Sequence, residues 1–400
     1  MKEAVDGALD SCVKCGICTA NCPVASFSFE FSGPKHMGPD LTRFRLDNKI
    51  PLEGQVDYCC NCKNCEVVCP SGVKVSLLNA YYKSQWKLIE RDCNPRDKIL
   101  ARPHYLAKLG SFNVGLSNLM LDQGYVKGLL EKTLKVSRHR PLPAYQKESV
   151  IKWFNKRKAI TSDKKVIYFL GCYTNYNETE IGKNVVRILE RNGFEVMIPK
   201  QSCCGLPLMA NGYLDAAIEQ GRKNLASLLP LVKQGYKVVT SCSSCSLTLK
   251  SEYQELFGLA EAKQLAPFVY EFGEFLRELF EEHALKTNFK PLKKRVAYHA
   301  PCHLKVQGIG RPSVDILRLI PGFEIIDIGA SCCGISGSYG FKKEKYEISM
   351  KVGQELFNKI SEVSPDYVLT ECGTCALQIR HGTGKEVINL PTIMAQAYES

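Results

Sequence analysis

The sequence predicts a multidomain α+β protein: a helical N-terminal domain, a helical and basic linker, and an α/β region built twice over with pseudo-twofold symmetry. Three observations predict it. Two ladders of closely spaced cysteines occupy the first seventy residues. From Lys164 onward, short apolar runs alternate with longer helical patterns, as in a parallel sheet covered on both faces. That alternation, with five cysteines embedded in it, occurs twice.

The N-terminal domain, residues 1–97, is organised around the run Cys59-Cys60-Asn61-Cys62-Lys63-Asn64-Cys65-Glu66-Val67-Val68-Cys69-Pro70, which contains a C-x2-C-x2-C-x3-C-P ladder. The same ladder stands at Cys12, Cys15, Cys18, Cys22 and Pro23. Bacterial ferredoxins use this spacing for [4Fe–4S] clusters: three thiolates cap one cluster and the fourth reaches across to the other. Two ladders therefore imply two [4Fe–4S] clusters held crosswise, one by Cys12, Cys15, Cys18 and Cys69, the other by Cys59, Cys62, Cys65 and Cys22. A zinc site wants separated C-x2-C pairs rather than three thiols in a row. A disulfide framework wants a short secreted chain. Cys60 is surplus to the ladder and reads as a buried or spare thiol. Between the ladders, Gly33-Pro34-Lys35-His36-Met37-Gly38-Pro39-Asp40 is a loop, with Asp40 placed to cap a short helix over residues 41–46. Val75, Leu78, Tyr82 and Trp86 recur near helical spacing and predict a helix over residues 73–88.

Composition narrows the class. Four hundred residues allow two or three domains, and an apolar fraction of 45% allows a sizeable core. Twenty cysteines are far more than packing needs, yet too dilute for a disulfide scaffold. The residues Met1-Lys2-Glu3-Ala4-Val5-Asp6 carry no apolar signal region, and no apolar run is long enough to span a membrane, so a reducing cytoplasm is expected. The formal charge of +12 counts cysteines as neutral. A [4Fe–4S]²⁺ core with four thiolates carries about −2 in total, so the loaded chain lies nearer neutrality. No nucleic-acid partner is expected.

Residues 98–163 form the linker. Residues 98–136 read as two helices broken near Gly110-Ser111, the second carrying Leu116, Leu119, Met120, Val126, Leu129, Leu130 and Leu134. Packing of this face on the neighbouring domains is the expected arrangement; the competing one is an interfacial helix on a membrane or partner subunit. Residues 132–165 then hold eleven Lys or Arg against Glu148 and Asp163, with Trp153 and Phe154 among them. Such a segment is a solvated linker or suits anionic lipid headgroups.

The first α/β unit, residues 164–290, predicts strands over 166–170, 195–198 and 237–240 with helices over 178–191 and 206–229. The second, residues 291–400, predicts strands over 295–299, 324–328 and 367–370 with helices over 313–320 and 343–360. Cysteines match between them: Cys172, Cys203, Cys204, Cys242 and Cys245 in the first copy, and Cys302, Cys332, Cys333, Cys372 and Cys375 in the second. All follow the C-terminal ends of strands, the edge where open α/β sheets bind ligands. Each C-x2-C pair is predicted to open a helix, whose N-terminal dipole favours thiolate. Gly205 and Gly334 follow the double cysteines and permit a tight turn beside a metal. Five converging thiolates exceed what zinc takes and suit an iron–sulfur cluster of unusual shape; a redox-active C-x2-C disulfide is the rival. His299 and His303 bracket Cys302 and read as hydrogen-bonding neighbours of a cluster rather than ligands or proton donors. The glycine-rich run Gly334–Gly340 reads as a cluster-enclosing loop. No Walker motif or early dinucleotide fingerprint is present, so no place for FAD, NAD or ATP is visible and no catalytic residue is assigned.

This order of two ladders, a helical linker and two CCG domains resembles the C-subunit family of anaerobic glycerol-3-phosphate dehydrogenase complexes over nearly the whole chain. The likeness extends to Gly33-Pro34-Lys35, Arg43, Arg45-Leu46, Leu206-Pro207-Leu208, Ala210-Asn211-Gly212 and Tyr339-Gly340-Phe341-Lys342-Lys343-Glu344. More distantly, the chain is similar to heterodisulfide reductase and to iron–sulfur subunits of glycolate and lactate oxidation. The resemblance implies a non-catalytic electron-transfer subunit of an oxidoreductase complex, taking electrons from an FAD-containing dehydrogenase subunit toward quinone or another membrane acceptor, with peripheral association at the inner face of the cytoplasmic membrane. In the wider family CCG domains can bind noncubane [4Fe–4S] clusters, which implies room for one or two more. The first CCG copy of the family can lack a cysteine, but Cys242 and Cys245 complete it here. That keeps open a catalytic role like that of heterodisulfide reductase, or service to a lactate or glycolate dehydrogenase.

Overall fold

The computed structural model describes residues 9, 11–46, 53–89 and 94–399. The N-terminal stretch read as lacking a signal region lies outside the described residues.

Two four-stranded sheets, both wholly parallel, form the body. The first comprises β1 (Lys165–Tyr168), β2 (Glu195–Met197), β3 (Lys237–Thr240) and β4 (Val269–Glu271), in the order β2-β1-β3-β4. The second repeats it with β5 (Lys294–Tyr298), β6 (Phe323–Asp327), β7 (Tyr367–Leu369) and β8 (Val387–Ile388), in the order β6-β5-β7-β8. Val166, Ile167 and Tyr168 are fully buried, as are Val296, Ala297 and Tyr298, because helices cover both faces. Strands β4 and β8, which close one edge of each sheet, are three and two residues long and lie outside the strands that the sequence predicts.

The copies are separate in sequence but share a core. The Phe272–Glu281 helix that follows β4 packs on the Pro312–Leu317 helix of the second copy. The Leu390–Glu399 helix that follows β8 packs back on the Thr179–Arg191 helix of the first. Val185, Leu189, Phe275 and Leu276 accordingly sit in one apolar cluster with Leu317, Ile393, Met394 and Ala397.

The N-terminal domain is helical but packs intimately on both copies. Its long helix spans Val75–Ile89. Asp40 does not cap a helix: the chain is already helical through His36–Asp40 before Leu41–Leu46, and the Asp40 carboxylate instead takes Lys35 at 2.5 Å. The division expected after residue 97 falls inside the Pro95–Leu100 helix. Residues 98–136 hold three further helices, Pro103–Gly110, Val114–Asp122 and Gly124–Leu134, rather than two, and Val150–Lys156 is a fourth in the linker.

These linker helices are apolar on two sides. Leu130 and Leu134 pack against the core of the second copy. Leu116, Leu119, Met120 and Leu129 do not: they are exposed, together with Tyr105, Leu109, Phe112 and Tyr125. The expected burial of that face is therefore corrected for most of its residues. The basic segment beyond is corrected in the other direction. Trp153 and Phe154 pack on the core, and the Arg157 guanidinium lies 4.2 Å from the Phe154 ring and pairs with Glu190, so those aromatics are not free for lipid.

Candidate metal centres

Backbone conformation shapes the ladders before any side chain does. Lys14, Gly16, Asn61 and Lys63 all adopt positive φ, two in each ladder. Left-handed residues alternating with right-handed ones turn successive N–H groups inward, the concavity that holds anions and many iron–sulfur centres. Cys12, Cys15, Cys18 and Cys69 line one small cavity, so a thiol of the opposite ladder stands beside the first three. Cys22, Cys59 and Cys65 lie close to one another, and burial pushes the Cys22 thiol up to about 12. Cys60 neighbours Cys22 and Cys59 and connects this group to Cys62. Cys62 neighbours both Cys60 and Cys332 of the second copy, so Cys60, half-buried, lies between centres rather than standing spare.

In each copy five thiols meet at the C-terminal edge of the sheet. Cys203 lies 3.9 Å from Cys172 by sulfur and adjoins Cys204, which leads to Cys245 and Cys242. Cys333 lies 3.1 Å from Cys375 and adjoins Cys332, which leads to Cys302. Cys242 and Cys372 are the N-cap residues of the Ser243–Leu247 and Gly373–Thr383 helices. The Cys375 thiol, with Thr374 and backbone amides, brings Cys372 down to about 6 against its burial. Gly205 and Gly334 have φ of +95° and +89°, and a Cβ at Gly334 would stand 2.1 Å from the Ser349 carbonyl oxygen. No disulfide joins any described cysteine.

Both sets open into one continuous cavity of about 530 Å³. Sequence reasoning missed several of its groups. Glu271 ends β4 and Glu371 precedes Cys372; burial pushes both carboxyls up, to about 8 and about 7, with their mutual repulsion adding at Glu271. Tyr298 donates to Glu371 at 2.8 Å where, in the first copy, the Tyr168 hydroxyl is 2.7 Å from that of Ser241. Comparing Thr240-Ser241-Cys242 with Thr370-Glu371-Cys372 was the available signal. Arg140 had none. It comes from the linker, is buried, and donates to the Gly340 carbonyl at 2.9 Å and to Ser349 at 3.1 Å. No carboxylate pairs with it among the described residues, and the nearby anion-forming groups are Tyr346 and the Cys333 thiol. A buried cation without an acid fits a site whose thiols carry negative charge.

The two histidines differ. His303 Nε2 donates to the Asn61 carbonyl at 2.9 Å and Nδ1 accepts from the Ser244 hydroxyl at 2.9 Å, which joins the second ladder to both copies. The Ser336 hydroxyl reaches the Cys60 carbonyl, and Asn211 donates to Ser338 at 2.8 Å, so the glycine-rich loop closes the same junction. His299 is buried and neither ring nitrogen has a hydrogen-bond partner, contrary to the expected hydrogen-bonding role. Burial pushes it down to about 4.

The donor set fits iron and sulfide: crowded thiols, inward-facing amides and a buried cation. Clusters bound here would supply one-electron redox capacity; the chain itself supplies the thiol grips, the dry wall and the buried charge.

Comparison with known proteins agrees with this chemistry. Residues 8–73 match the model of a 4Fe-4S dicluster domain, and residues 166–250 and 296–380 each match the model of a cysteine-rich domain. The chain is 34% identical to the C subunit of the anaerobic glycerol-3-phosphate dehydrogenase of Escherichia coli, over 98% of this chain and 99% of that one. It is 24% identical to the D subunit of the dihydromethanophenazine:CoB--CoM heterodisulfide reductase of Methanosarcina barkeri, over 94% and 89%. It is 25% identical to the glycolate oxidase iron-sulfur subunit of Escherichia coli, over 98% and 95%.

Proposed function

The chain belongs to the family of anaerobic glycerol-3-phosphate dehydrogenase C subunits, and from that premise we propose that it is the electron-transfer subunit of such a complex, passing electrons from an FAD subunit toward quinone. Cys12, Cys15, Cys18 and Cys69 hold one [4Fe–4S] cluster of the domain 1–97. Cys59, Cys62, Cys65 and Cys22 hold the second. Further clusters occupy the five-cysteine sets of the domains 164–290 and 291–400, and residues 98–163 join the two parts. The observation that carries the reading is the Cys62–Cys332 contact. It brings the second ladder against the second copy, so charge need not cross a thick layer of protein. The isolated chain should show no turnover of glycerol 3-phosphate, yet its visible absorption should bleach when the reduced flavin subunit is added. Turnover by the chain alone would refute the assignment, and a co-purifying flavin subunit that oxidises glycolate or lactate instead would move it to that branch.

A second reading, a catalytic subunit like those of heterodisulfide reductases, is favoured by the completeness of both sets around one cavity. Reduction of a disulfide substrate by the loaded chain, abolished by Cys333→Ser and retained in Lys156→Ala, would establish it. Cys60→Ser is no control for that experiment, since Cys60 touches Cys62.

The same proposal places the complex on the inner face of the cytoplasmic membrane. No helix among the described residues is long and apolar enough to cross a bilayer. The exposed side chains of Leu109, Phe112, Leu116, Leu119, Tyr125 and Leu129 support a peripheral contact by the linker helices.

A further inference from the structure

His299 stands where the two copies should be alike and are not. It follows β5 as Phe169 follows β1. The backbone equivalence is direct: the Phe169 amide donates to the Val239 carbonyl at 2.8 Å, and the His299 amide to the Leu369 carbonyl at 2.9 Å. Both side chains are buried. The first copy shows that an apolar ring satisfies the fold at this place. An imidazole with two unpartnered nitrogens is a costly replacement for it, because each buried nitrogen has given up water and gained nothing in return.

What lies in front of the ring supplies the missing partner. A His299 ring nitrogen and the sulfurs of Cys333 and Cys375 fall within 4.8 Å of one another. Among the described residues these three form the one group of donors close enough together to share a metal ion. Imidazole is a good ligand for iron, and in two-iron clusters it is known to replace thiolate on one metal. The neighbouring His303 offers no such donor, since both its nitrogens are engaged.

We propose that His299 is a direct ligand of the iron–sulfur centre in the second copy, giving that centre a mixed nitrogen–sulfur donor set while the first copy holds its centre by thiolates alone. The imidazole donates a lone pair to iron and no other bond changes. This inference rests on the reading that the second copy binds a cluster. Its consequence is an ordering of the two centres. In the second copy the imidazole takes an iron position that the fifth thiolate fills in the first, leaving one of the five second-copy thiols off iron; it donates less charge and raises the reduction potential, so the second centre becomes the better electron acceptor of the pair.

The test uses the full chain with its partner subunits, purified without oxygen and partially reduced. Pulsed electron paramagnetic resonance should show a strongly coupled nitrogen on the second-copy centre, with frequencies that shift when the chain is grown with ¹⁵N-histidine. His299→Phe, which installs the first copy's own residue, should keep the iron content, lose the coupling and lower the midpoint potential of that centre only. A wild-type centre with iron but no strongly coupled nitrogen, or a coupling that survives His299→Phe, overturns the inference and leaves the cluster reading intact. If Cys333→Ser removes no iron, the cluster reading itself falls. Should His299→Phe fail to fold, the labelled wild-type spectrum decides alone.

Discussion

Single residues set the electrostatics of the second copy, and Arg140 is the clearest case. A guanidinium stays charged at any physiological pH, and this one is buried with hydrogen bonds to Gly340 and Ser349 but no acid. Its field acts on whatever charge resides at Cys333. Arg140→Gln keeps donors while removing the charge, so the midpoint potential of the second-copy centre should fall in a redox titration, and stability should drop by about 2 kcal/mol in urea unfolding. An unchanged potential would mean that the charge is compensated by another route. None of this was legible in the sequence: Arg140 lies 200 residues from Gly340, and nothing in a basic linker marks one arginine as the buried one. The eighteen ladder and CCG cysteines were legible as candidate ligands, because thiolate spacing is local chemistry. His299 was legible as a candidate, but which of its neighbours it faces depends on the sheet edge.

At the scale of elements, the linker helices carry the testable claim. Three leucines with one exposed face, Leu116, Leu119 and Leu129, would each gain about 1.5–3 kcal/mol on leaving water. Replacing all three by Glu should cut flotation with anionic liposomes at least about a hundredfold, while circular dichroism stays unchanged. Arg157→Glu should lower folding stability instead, because Arg157 is stacked on Phe154 and paired with Glu190. Periodicity identifies these helices as amphipathic but cannot say which neighbour their apolar sides meet, since that depends on the surface each faces in the fold. Six strands of the repeat are legible: the pattern over residues 237–240 coincides with β3, and the others agree within about two residues. Strands β4 and β8 are not, being two or three residues of ordinary composition held by ladder bonds to β3 and β7.

Across the whole molecule, buried ion pairs join the parts that the sequence read as separate domains. Asp97 takes Lys87 of the N-terminal helix at 3.1 Å and Lys342 of the second copy at 2.9 Å, with Arg96 beside it. Lys63 does the same for the first copy, reaching Glu252 at 2.5 Å. Burial alone would raise the Asp97 carboxyl, but Lys342, Arg96 and Lys87 outweigh it and hold the group down, at about 2. Its stabilising effect, about 2 kcal/mol, is therefore complete above about pH 4 and lost as pH falls toward 2. Asp97→Asn should weaken the chain at neutral pH and flatten the acid limb of a stability-versus-pH curve measured by limited proteolysis; an unaltered acid limb would show that other carboxylates, Asp57 among them, set it. The docked N-terminal domain also bears on biogenesis. The Cys60–Cys62 stretch, pinned by Ser336 and His303, forms one wall of the cavity that both thiol sets line. Iron and sulfide delivered after the chain has closed must therefore pass the mouth of that cavity, so a chain matured late draws the metal for both sets through one shared entrance.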